Sequence, residues 1–258
     1  MSGDQDKRLE ISATVLTYNS ERHLKDVLAA LYSVGEIVVL DCGSSDRTRE
    51  IALSFDNAQF FETPIMGFGA LHSRATKLAR FNWILSIDSD EIPSLELMAE
   101  IQALSLNPEA IYAFRRDNFF NGKRIWSCGW SPDWVFRLYH RRKAGFDDRH
   151  VHEKVCGPGL IKCYLQGRVA HEPYPTPRDF LIKMERYAAL FAEQNRNKRK
   201  ATLWTALLHG WYAFLRSYLL RGGCLQGYAG YVISAYTGQT AYYKYLLLAD
   251  LNNCRIKQ

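Results

Sequence analysis

The sequence predicts an α/β protein with a mixed, mostly parallel sheet, flanking helices and a helical C-terminal region. Two observations carry this prediction. Apolar runs of strand length alternate with helical patterns from Ile11 to Arg116, as expected when parallel strands are joined by helices. From Thr176 onwards the hydrophobic spacing is that of helices.

The alternating part is expected to contain five strands and four helices. Each strand run is rich in β-branched, aromatic or aliphatic residues and stops at a polar or turn residue. The strands are expected at residues 11–16, 36–41, 58–63, 83–87 and 110–116. The helices are expected after Ser20, after the Gly/Ser turn with Ser45 or Asp46 as cap, over about residues 69–80, and from Pro93 and Ser94 to about Ser105.

The alternation stops after Arg116. Residues 117–155 are aromatic, charged and rich in turns, and they are expected to form loops and strands over one edge of the sheet. We expect an α/β domain at residues 1–175, in two parts at about 10–116 and about 117–175. Residues 176–258 are expected to form a separate amphipathic helical region.

The C-terminal region begins with a helix signal and continues with two long apolar segments. Thr176 can cap a helix and Pro177 suits its first position. The first apolar segment approaches the roughly 20 residues that a membrane span needs, but His209, Gly210 and Arg216 interrupt it. We expect helices that lie in or against a membrane interface. The alternative is a pair of helices packed on the α/β domain.

Basic charge and aromatic residues are concentrated in the last third of the chain. Residues 178–258 carry 12 Lys or Arg, 4 Asp or Glu, and 14 of the 34 aromatic residues. This combination favours an anionic membrane surface, although a solvated basic face would have the same composition. No nucleic acid is expected as a partner, because the basic region is too apolar and lacks a recognition module.

Composition excludes several other classes of protein. The chain has 258 residues, of which 47% are hydrophobic, so it can bury a sizeable core. Its six cysteines form no C-x-x-C pair, which is typical of reduced cysteines rather than of a disulfide scaffold or a zinc site. No apolar leader follows the charged N-terminus, so no export is expected. The sequence contains neither G-x-G-x-x-G nor a Walker lysine motif.

Polar clusters follow three of the predicted strands. They are Thr17-Tyr18-Asn19, the segment from Asp41 to Asp46, and the segment from Asp88 to Glu91. In open α/β sheets, ligands bind outside the carboxyl ends of the strands. The three clusters therefore predict a binding site at one edge of the sheet.

The segment Asp88-Ser89-Asp90 is the strongest metal-site candidate. Residues i and i+2 of a strand point the same way, so both carboxylates can face one cation. Oxygen ligands favour Mg²⁺ or Mn²⁺. The alternative is that Asp90 and Glu91 only stabilise the start of the helix expected at Pro93.

Two further acidic sites have both a functional and a structural interpretation. Asp41 can accept hydrogen bonds from a base or ribose, or it can bond its own turn. The segment from Asp147 to Val155 contains Glu153, a candidate general base, and His152, a candidate ligand. A solvated loop is the alternative there.

Four segments together resemble inverting family 2 glycosyltransferases with the Rossmann-like GT-A fold. They are ISATVLTYNSERHL, EIVVLDCGSSDRT, ILSIDSDE and VHEKV. More narrowly, the chain resembles bacterial lipopolysaccharide inner-core β-1,4-glucosyltransferases, and its segment FLRSYLLRGGCLQGYAGYVISAY is similar to the Gly-rich tail of that subgroup. The subgroup often has an acidic residue where this chain has Gln226.

This resemblance implies that residues 1–175 are a GT-A catalytic domain, with a nucleotide-binding part at about 10–116 and an acceptor part at about 117–175. It also implies roles for individual residues. It implies a nucleotide-sugar site formed by Thr17, Tyr18, Asn19, Glu21, Asp41, Asp46, Asp88 and Arg137. It implies Asp90 as a metal ligand, with Asp88 and His152 as further candidates for Mg²⁺ or Mn²⁺. Glu153 is expected to be the base, with Asp133 as its competitor, and Arg116 is expected to meet phosphate charge.

The implied reaction is transfer of a hexose, glucose in the first instance, from a UDP-sugar to a lipid-linked saccharide, with heptose of the inner core as the expected acceptor. The expected location is the cytoplasmic face of the inner membrane. Trp126, Trp130 and Trp134 recur at a four-residue spacing and can stack on a sugar, or pack in the core. The competing hypotheses are a non-catalytic nucleotide-sugar- or membrane-binding protein and a D-x-D phosphatase of the haloacid dehalogenase type.

Overall fold

The computed structural model describes residues 8–147, 154–174 and 176–253. The chain divides into two compact units. The first takes in the chain up to Arg116 and the segment Asp133–His171, and the second takes in Asp117–Pro132 and the chain from Glu172 onwards. This division reflects contacts within the chain and says nothing about what each part binds. The functional division expected at residue 175 therefore stays a prediction.

Eleven strands occur in the part of the chain that the structure describes. They are β1 (Leu9–Thr17), β2 (Val34–Asp41), β3 (Ala58–Glu62), β4 (Trp83–Asp88), β5 (Glu91–Pro93), β6 (Ala110–Phe120), β7 (Lys123–Arg124), β8 (Asp133–His140), β9 (Gly145–Phe146), β10 (Val155–Cys156) and β11 (Ile161–His171).

Seven α-helices occur among the same residues. They are α1 (Glu21–Ala30), α2 (Thr48–Leu53), α3 (Phe68–Leu78), α4 (Leu95–Ala103), α5 (Pro177–Asn195), α6 (Leu203–Leu215) and α7 (Gly227–Asn253). A π-helical turn at Arg216–Leu220 and a 3₁₀ turn at Gly223–Gln226 connect α6 with α7.

The main sheet has the strand order β3-β2-β1-β4-β8-β6-β11-β5. The strands β3, β2, β1 and β4 run parallel to one another. The pairs β4–β8, β8–β6 and β11–β5 are antiparallel. The predicted mixed sheet with flanking helices is confirmed, and its parallel part is the segment in which the sequence alternates.

The core of the first unit lies on both faces of the parallel strands. Ile37 and Val39 pack in one apolar cluster with Leu24 of α1, whereas Val38 packs in the other with Leu71 of α3. Successive residues of a strand point to opposite faces, so a strand covered on both sides needs an uninterrupted apolar run. This explains the apolar run in the segment EIVVLD of β2.

The predicted start of α4 was wrong by two residues. Glu91–Pro93 forms the strand β5, and the helix begins at Leu95. Ser94 is the cap, because its hydroxyl accepts a hydrogen bond from the Leu97 amide at 3.2 Å. Pro93 is tolerated because β5 is the last strand in the sheet order.

The cap of α2 also differs from the prediction. Arg47 occupies the N-cap position and makes no cap bond through its side chain. The carboxylate of Asp46 accepts the Thr48 amide at 3.1 Å instead, from one residue earlier. Acidic side chains near a helix start satisfy free amides from either position.

The second unit consists mainly of α5, α6 and α7. Thr176 is the N-cap of α5 and Pro177 is its first residue, as predicted. The Thr176 amide donates to the Asp179 carboxylate at 2.8 Å, as in a capping box. A Cβ atom added at Gly210 of α6 would lie 2.9 Å from the Cβ of Tyr242 on α7. Glycine therefore allows these two helices to pack closely. Within the described residues, no helix combines the length and the apolar character needed to cross a membrane.

Candidate active site

The carboxyl ends of β1, β2 and β4 form the candidate site. Thr17 of β1 lies opposite Asp41 of β2, and Leu16 of β1 lies opposite Asp88 of β4. The three polar clusters that the sequence places after separate strands are therefore side by side. This adjacency follows from the parallel register.

Asp41 organises the turn that follows β2. Its Oδ1 accepts hydrogen bonds from the hydroxyls of Thr17 at 2.7 Å and Ser44 at 2.5 Å. Its Oδ2 accepts the amides of Gly43 at 2.9 Å and Ser44 at 2.7 Å. Asp41 is buried, and through these hydrogen bonds its carboxylate stabilises the conformation of the turn. Its predicted contact with the nucleotide stays a prediction.

Asn19 joins the loop after β1 to the loop after β2. Its side-chain oxygen accepts the Ser45 amide at 2.9 Å, and its own amide donates to the Ser44 hydroxyl at 2.7 Å. Asn19 has a φ of 50°, in the left-handed region where asparagine is among the better-tolerated residues. Tyr18 beside it is 57% exposed, which leaves its ring available to a ligand.

Glu21 and Asp46 tie the same two loops together from both sides. The Glu21 amide donates to Asp46 at 3.0 Å, and the Arg47 amide donates to Glu21 at 3.1 Å. Hydrogen bonds from Thr48 and Glu21 outweigh the effect of burial and hold the pKa of Asp46 below its usual value. The two carboxylates therefore fix the shape of the predicted nucleotide pocket.

The third cluster is joined to the first by a hydroxyl pair. The hydroxyl of Ser20 donates to that of Ser89, in the middle of the D-x-D segment, at 2.9 Å. This bond connects the start of α1 to the turn between β4 and β5. The turn that carries Asp88 and Asp90 is thus held in a defined position relative to β1.

Asp88 lies against Arg137. The Nη2 atom of Arg137 on β8 donates to Asp88 Oδ2 at 3.0 Å, and the guanidinium lies 5.5 Å from the centre of the Phe146 ring. Burial opposes ionisation of Asp88 most strongly, but the charges of Arg137 and His72 with those of two further cations outweigh it and lower the pKa of Asp88 to about 2. Asp88 is therefore an anion at neutral pH.

Glu91 is a site residue that the sequence placed wrongly in a helix-starting turn. It lies at the start of β5 with no exposed side-chain surface, accepts the Asp88 amide at 3.0 Å, and contacts Arg116 Nη1 at 3.2 Å. Burial, together with the nearby charge of Asp88, raises the pKa of Glu91. Glu91 stabilises the D-x-D turn because its carboxylate accepts a hydrogen bond from the Asp88 backbone amide.

Asp90 lies beside a histidine that sequence reasoning missed. Its Oδ2 is 3.7 Å from Nε2 of His171, the last residue of β11, and the Asp90 side chain is 33% exposed. The antiparallel pairing of β11 with β5 places His171 opposite Glu91. Carboxylate and imidazole are both ligands of divalent metals.

The donor set fits a metal that takes part of its coordination from substrate. In the described part of the chain no group of three or more His, Cys, Asp or Glu could enclose a metal ion. Mg²⁺ and Mn²⁺ sites in phosphate-transferring enzymes commonly use one or two carboxylates and complete their shell with water and phosphate oxygens. Asp90 with His171 matches that requirement, whereas His152 lies outside the described residues.

Asp133 and Arg116 form a bidentate pair. Arg116 Nε donates to one oxygen of Asp133 at 2.8 Å, and Nη2 donates to the other at 3.1 Å. Burial opposes the charge of Arg116, but Glu91 and Asp133 more than compensate and raise its pKa. Both oxygens of Asp133 are thus engaged. Glu153, the other candidate base, lies outside the described residues.

Comparison with known sequences decides the family. Residues 12–165 match the family model described as glycosyl transferase family 2. This match covers more than half of the chain, including all three strand-end clusters and Asp133.

The chain belongs to glycosyl transferase family 2.

Curated relatives of this family 2 glycosyltransferase align along nearly its whole length. The lipopolysaccharide core biosynthesis glycosyltransferase LpsC of Rhizobium meliloti is 26% identical over 257 residues, which are 95% of this chain and 92% of LpsC. An uncharacterized glycosyltransferase of Rickettsia typhi is 24% identical over 265 residues, or 96% of this chain and 88% of that protein.

Two of the solved structures that show some likeness to the chain are those of TarS and glucosyl-3-phosphoglycerate synthase. Residues 1–349 of S. aureus TarS in complex with UDP-GlcNAc match at 16% identity with a TM-score of 0.46, covering 97% of this chain and 93% of that one. Glucosyl-3-phosphoglycerate synthase of Mycobacterium tuberculosis matches at 24% identity with a TM-score of 0.34, covering 43% and 44%. Family membership rests on the sequence match.

The three tryptophans of the family 2 enzyme do not share one environment. Trp134 of the first unit is 39% exposed and meets the Tyr164 ring edge-on at 5.1 Å. In the second unit, Trp126 is 52% exposed, whereas Trp130 packs on Tyr174 and Phe180 in an aromatic cluster. The stacking prediction stays open for Trp126 and Trp134, and Trp130 has a packing role.

Proposed function

We propose that this family 2 enzyme is a metal-dependent, inverting hexosyltransferase that uses a UDP-sugar, with glucose as the first candidate. The observation that carries the proposal is the adjacency of Asp90 and His171 to the two loops organised by Asn19 and Asp41. A divalent cation at the first pair and a nucleotide at the loops would lie at one edge of one sheet. Such an edge is where open α/β sheets bind ligands.

The donor nucleotide is assigned to the loops after β1 and β2. Their conformations are set by side chains that bond backbone amides, so the pocket is formed before ligand arrives. A preformed pocket avoids much of the ordering cost of binding. Exposed Tyr18 supplies an aromatic surface for the base or ribose, and Arg137 supplies positive charge next to Asp88.

The cation is assigned to Asp90 and His171. When bound, Mg²⁺ or Mn²⁺ neutralises the negative charge that grows on the departing nucleoside diphosphate. The protein's part is to orient these two ligands, because β5 and β11 hold their backbones in register. Asp88 remains charged beside Arg137, where it can bind a ribose hydroxyl or a water molecule.

The transfer is a single displacement. An acceptor hydroxyl oxygen forms a bond to the anomeric carbon as the bond from that carbon to the diphosphate oxygen breaks. A carboxylate takes the hydroxyl proton, a contribution of about 10²–10⁴-fold in typical cases. We assign this role to Glu153, since both oxygens of Asp133 are already engaged by Arg116. One displacement converts an α-linked donor into a β-linked product.

The acceptor is proposed to be a lipid-linked saccharide of the lipopolysaccharide core. The support is the relative LpsC, whose name places it in core biosynthesis and whose alignment covers most of both chains. An acceptor embedded in a membrane requires the enzyme to work at the membrane surface. We therefore propose that the enzyme acts at the cytoplasmic face of the inner membrane, with residues 176–258 providing the membrane contact.

The test is a panel of UDP- and other nucleotide sugars with Mn²⁺ or Mg²⁺, scored by release of the nucleoside diphosphate. Release is expected to be greatest with a UDP-hexose and to rise when a heptose-containing core acceptor is added. The product's anomeric configuration is read by NMR and is expected to be inverted. Absence of release from every donor with both metals would refute the donor and metal assignments together.

A further inference from the structure

One side of α6 is apolar and exposed. Leu203, Trp204, Leu207, Leu208, Trp211 and Tyr212 lie on that side, since residues separated by three or four positions share a helix face. Trp204 is 74% exposed and Trp211 is 69% exposed. Ala206 and Gly210, on the opposite side, are buried. The helix therefore presents its largest side chains outward, the reverse of an ordinary surface helix.

The exposed apolar surface continues past the end of α6. Leu219, Leu220, Leu225 and Tyr228 are each more than half exposed, and Leu220 reaches 78%. Soluble monomers seldom expose contiguous apolar patches of more than a few hundred square ångströms. We call the exposed side chains of α6 together with these four the α6 face.

Only positive charge accompanies this surface. Residues 194–249 contain seven Lys or Arg and not one Asp or Glu. Lys198, Arg199 and Lys200 precede α6. Arg216 begins the π-helical turn that follows α6, and Arg221 comes directly after that turn. An apolar surface with tryptophan, tyrosine and an unbroken positive balance is complementary to an anionic lipid interface.

A cleft of about 250 Å³ adjoins the α6 face. Its lining includes His209, Tyr212, Arg216, Ser217 and Arg221. Tyr212 belongs to both the cleft and the α6 face. Two guanidinium groups with a hydroxyl and an imidazole suit a phosphate group. The cleft thus offers a place for the headgroup of a lipid whose acyl chains meet the neighbouring apolar side chains.

We propose that the α6 face and this cleft form one docking surface for an anionic phospholipid bilayer. Trp204 and Trp211 enter the interface, while Arg216 and Arg221 contact headgroup phosphates. The inference rests on the proposed function, since it specifies the surface on which a lipid-linked acceptor is met. At 1.5 Å per residue, α6 is about 20 Å long, so it lies along the bilayer with its exposed side towards the acyl chains.

A bilayer fits these features better than a protein partner does. A protein interface of this size would be expected to place some acidic groups or paired charges among its polar groups. Here the charge has one sign over 56 residues. Snorkelling arginines and interfacial tryptophans are the combination that stabilises a helix at the level of lipid headgroups.

The test is flotation of the full chain with vesicles of phosphatidylcholine alone or mixed with phosphatidylglycerol, without nucleotide sugar. The wild-type chain is expected to float with the anionic vesicles and to detach as salt is raised. The variant Trp204→Ser with Trp211→Ser should lose on the order of tenfold in affinity. The variant Arg216→Gln with Arg221→Gln should bind the anionic vesicles with an affinity lowered about fivefold for each arginine. This is the equivalent of roughly 1 kcal/mol for each cation.

Matched controls change the same chemistry on the first unit. Leu53→Ser with Leu95→Ser removes two exposed apolar side chains there, and Lys25→Gln with Lys77→Gln removes two exposed charges. Both controls should float like the wild type. Circular dichroism melts check that each variant is folded, which is expected because the replaced side chains are exposed.

Three outcomes would overturn the proposal. They are no flotation of the wild type with anionic vesicles, unchanged flotation of the folded tryptophan variant, and dimerisation through the α6 face in place of vesicle binding. The variant Asp90→Ala should float normally and yet fail to turn over a UDP-sugar. Docking and catalysis can therefore fail separately, and the two results identify which proposal is wrong.

Discussion

Asp90 Oδ2 lies 3.7 Å from His171 Nε2, although the two residues are 81 positions apart in the chain. The contact exists because β5, which follows Asp90 immediately, pairs antiparallel with the end of β11. Strand pairing thus brings an imidazole at the end of β11 next to an acidic residue in the turn before β5. Ligands that the scaffold already holds close together are in place before the metal binds.

The first prediction concerns this pair. Asp90→Ala and His171→Ala should each lower metal-dependent sugar transfer by roughly 100-fold or more, because a bound metal contributes several kcal/mol to stabilising developing charge. Mn²⁺ titration followed by calorimetry should show weaker binding in both variants. The exposed α4 variant Glu96→Ala is the control and should behave as the wild type. Wild-type Mn²⁺ affinity in His171→Ala would remove this histidine from the metal site.

The second prediction concerns Glu91. Glu91→Ala should lower the free energy of unfolding by about 3 kcal/mol or more, because it leaves Arg116 short of a buried partner and frees the Asp88 amide. Urea unfolding monitored by circular dichroism measures the change. Glu62→Ala removes the acidic partner of an exposed pair with Arg49 and should cost less than about 1 kcal/mol. Equal costs for both variants would contradict a supporting role for Glu91.

The third prediction separates the two properties of Asn19. Asn19→Gly keeps access to a positive φ but loses the bond to the Ser45 amide, whereas Asn19→Ala loses both. UDP affinity measured by calorimetry should fall in both variants, and further in the alanine variant by about 1 kcal/mol or more. An alanine variant that binds UDP as well as the glycine variant would mean that the left-handed conformation is not needed.

The fourth prediction concerns the base. Glu153→Gln should lower kcat by about 10²–10⁴-fold with little change in UDP affinity, because a general base acts on the acceptor proton. Asp133→Asn should instead lower stability, since Arg116 loses a charged bidentate partner. Steady-state kinetics and urea unfolding of the two variants distinguish the roles. A reversed pattern, with kcat lost only in Asp133→Asn, would assign the base to Asp133.

The fifth prediction tests the packing within the second unit. A Cβ added at Gly230 of α7 would collide with the Gly223 carbonyl oxygen. Gly230→Ala should therefore destabilise the protein by about 1–3 kcal/mol, in spite of alanine's higher helix propensity. Gly145→Ala is the control, since a Cβ there meets no atom within 4 Å. Thermal melts of both variants give the comparison, and equal melting temperatures would contradict the prediction.

Sequence reasoning worked best where local pattern and tertiary environment agree. The strands β1, β2 and β4 are apolar runs with mostly buried residues, so composition alone located them. It failed at β5, because a three-residue edge strand ending in proline looks the same as a turn before a helix. It also did not anticipate that β8 pairs antiparallel with both β4 and β6, since β-pairing partners far apart in the chain leave little mark on local composition.

The sequence by itself determined the α/β class, the three acidic or polar strand ends and the family. It also placed the three strand ends together, because parallel strands that are neighbours in a sheet bring their carboxyl ends to one edge. Tertiary structure alone decided which side chains meet there. His171 lies next to Asp90, the buried carboxylate of Glu91 accepts the Asp88 amide, and Arg116 donates to Asp133. These contacts depend on the register between distant strands, and register is set by how the whole core packs rather than by any short segment.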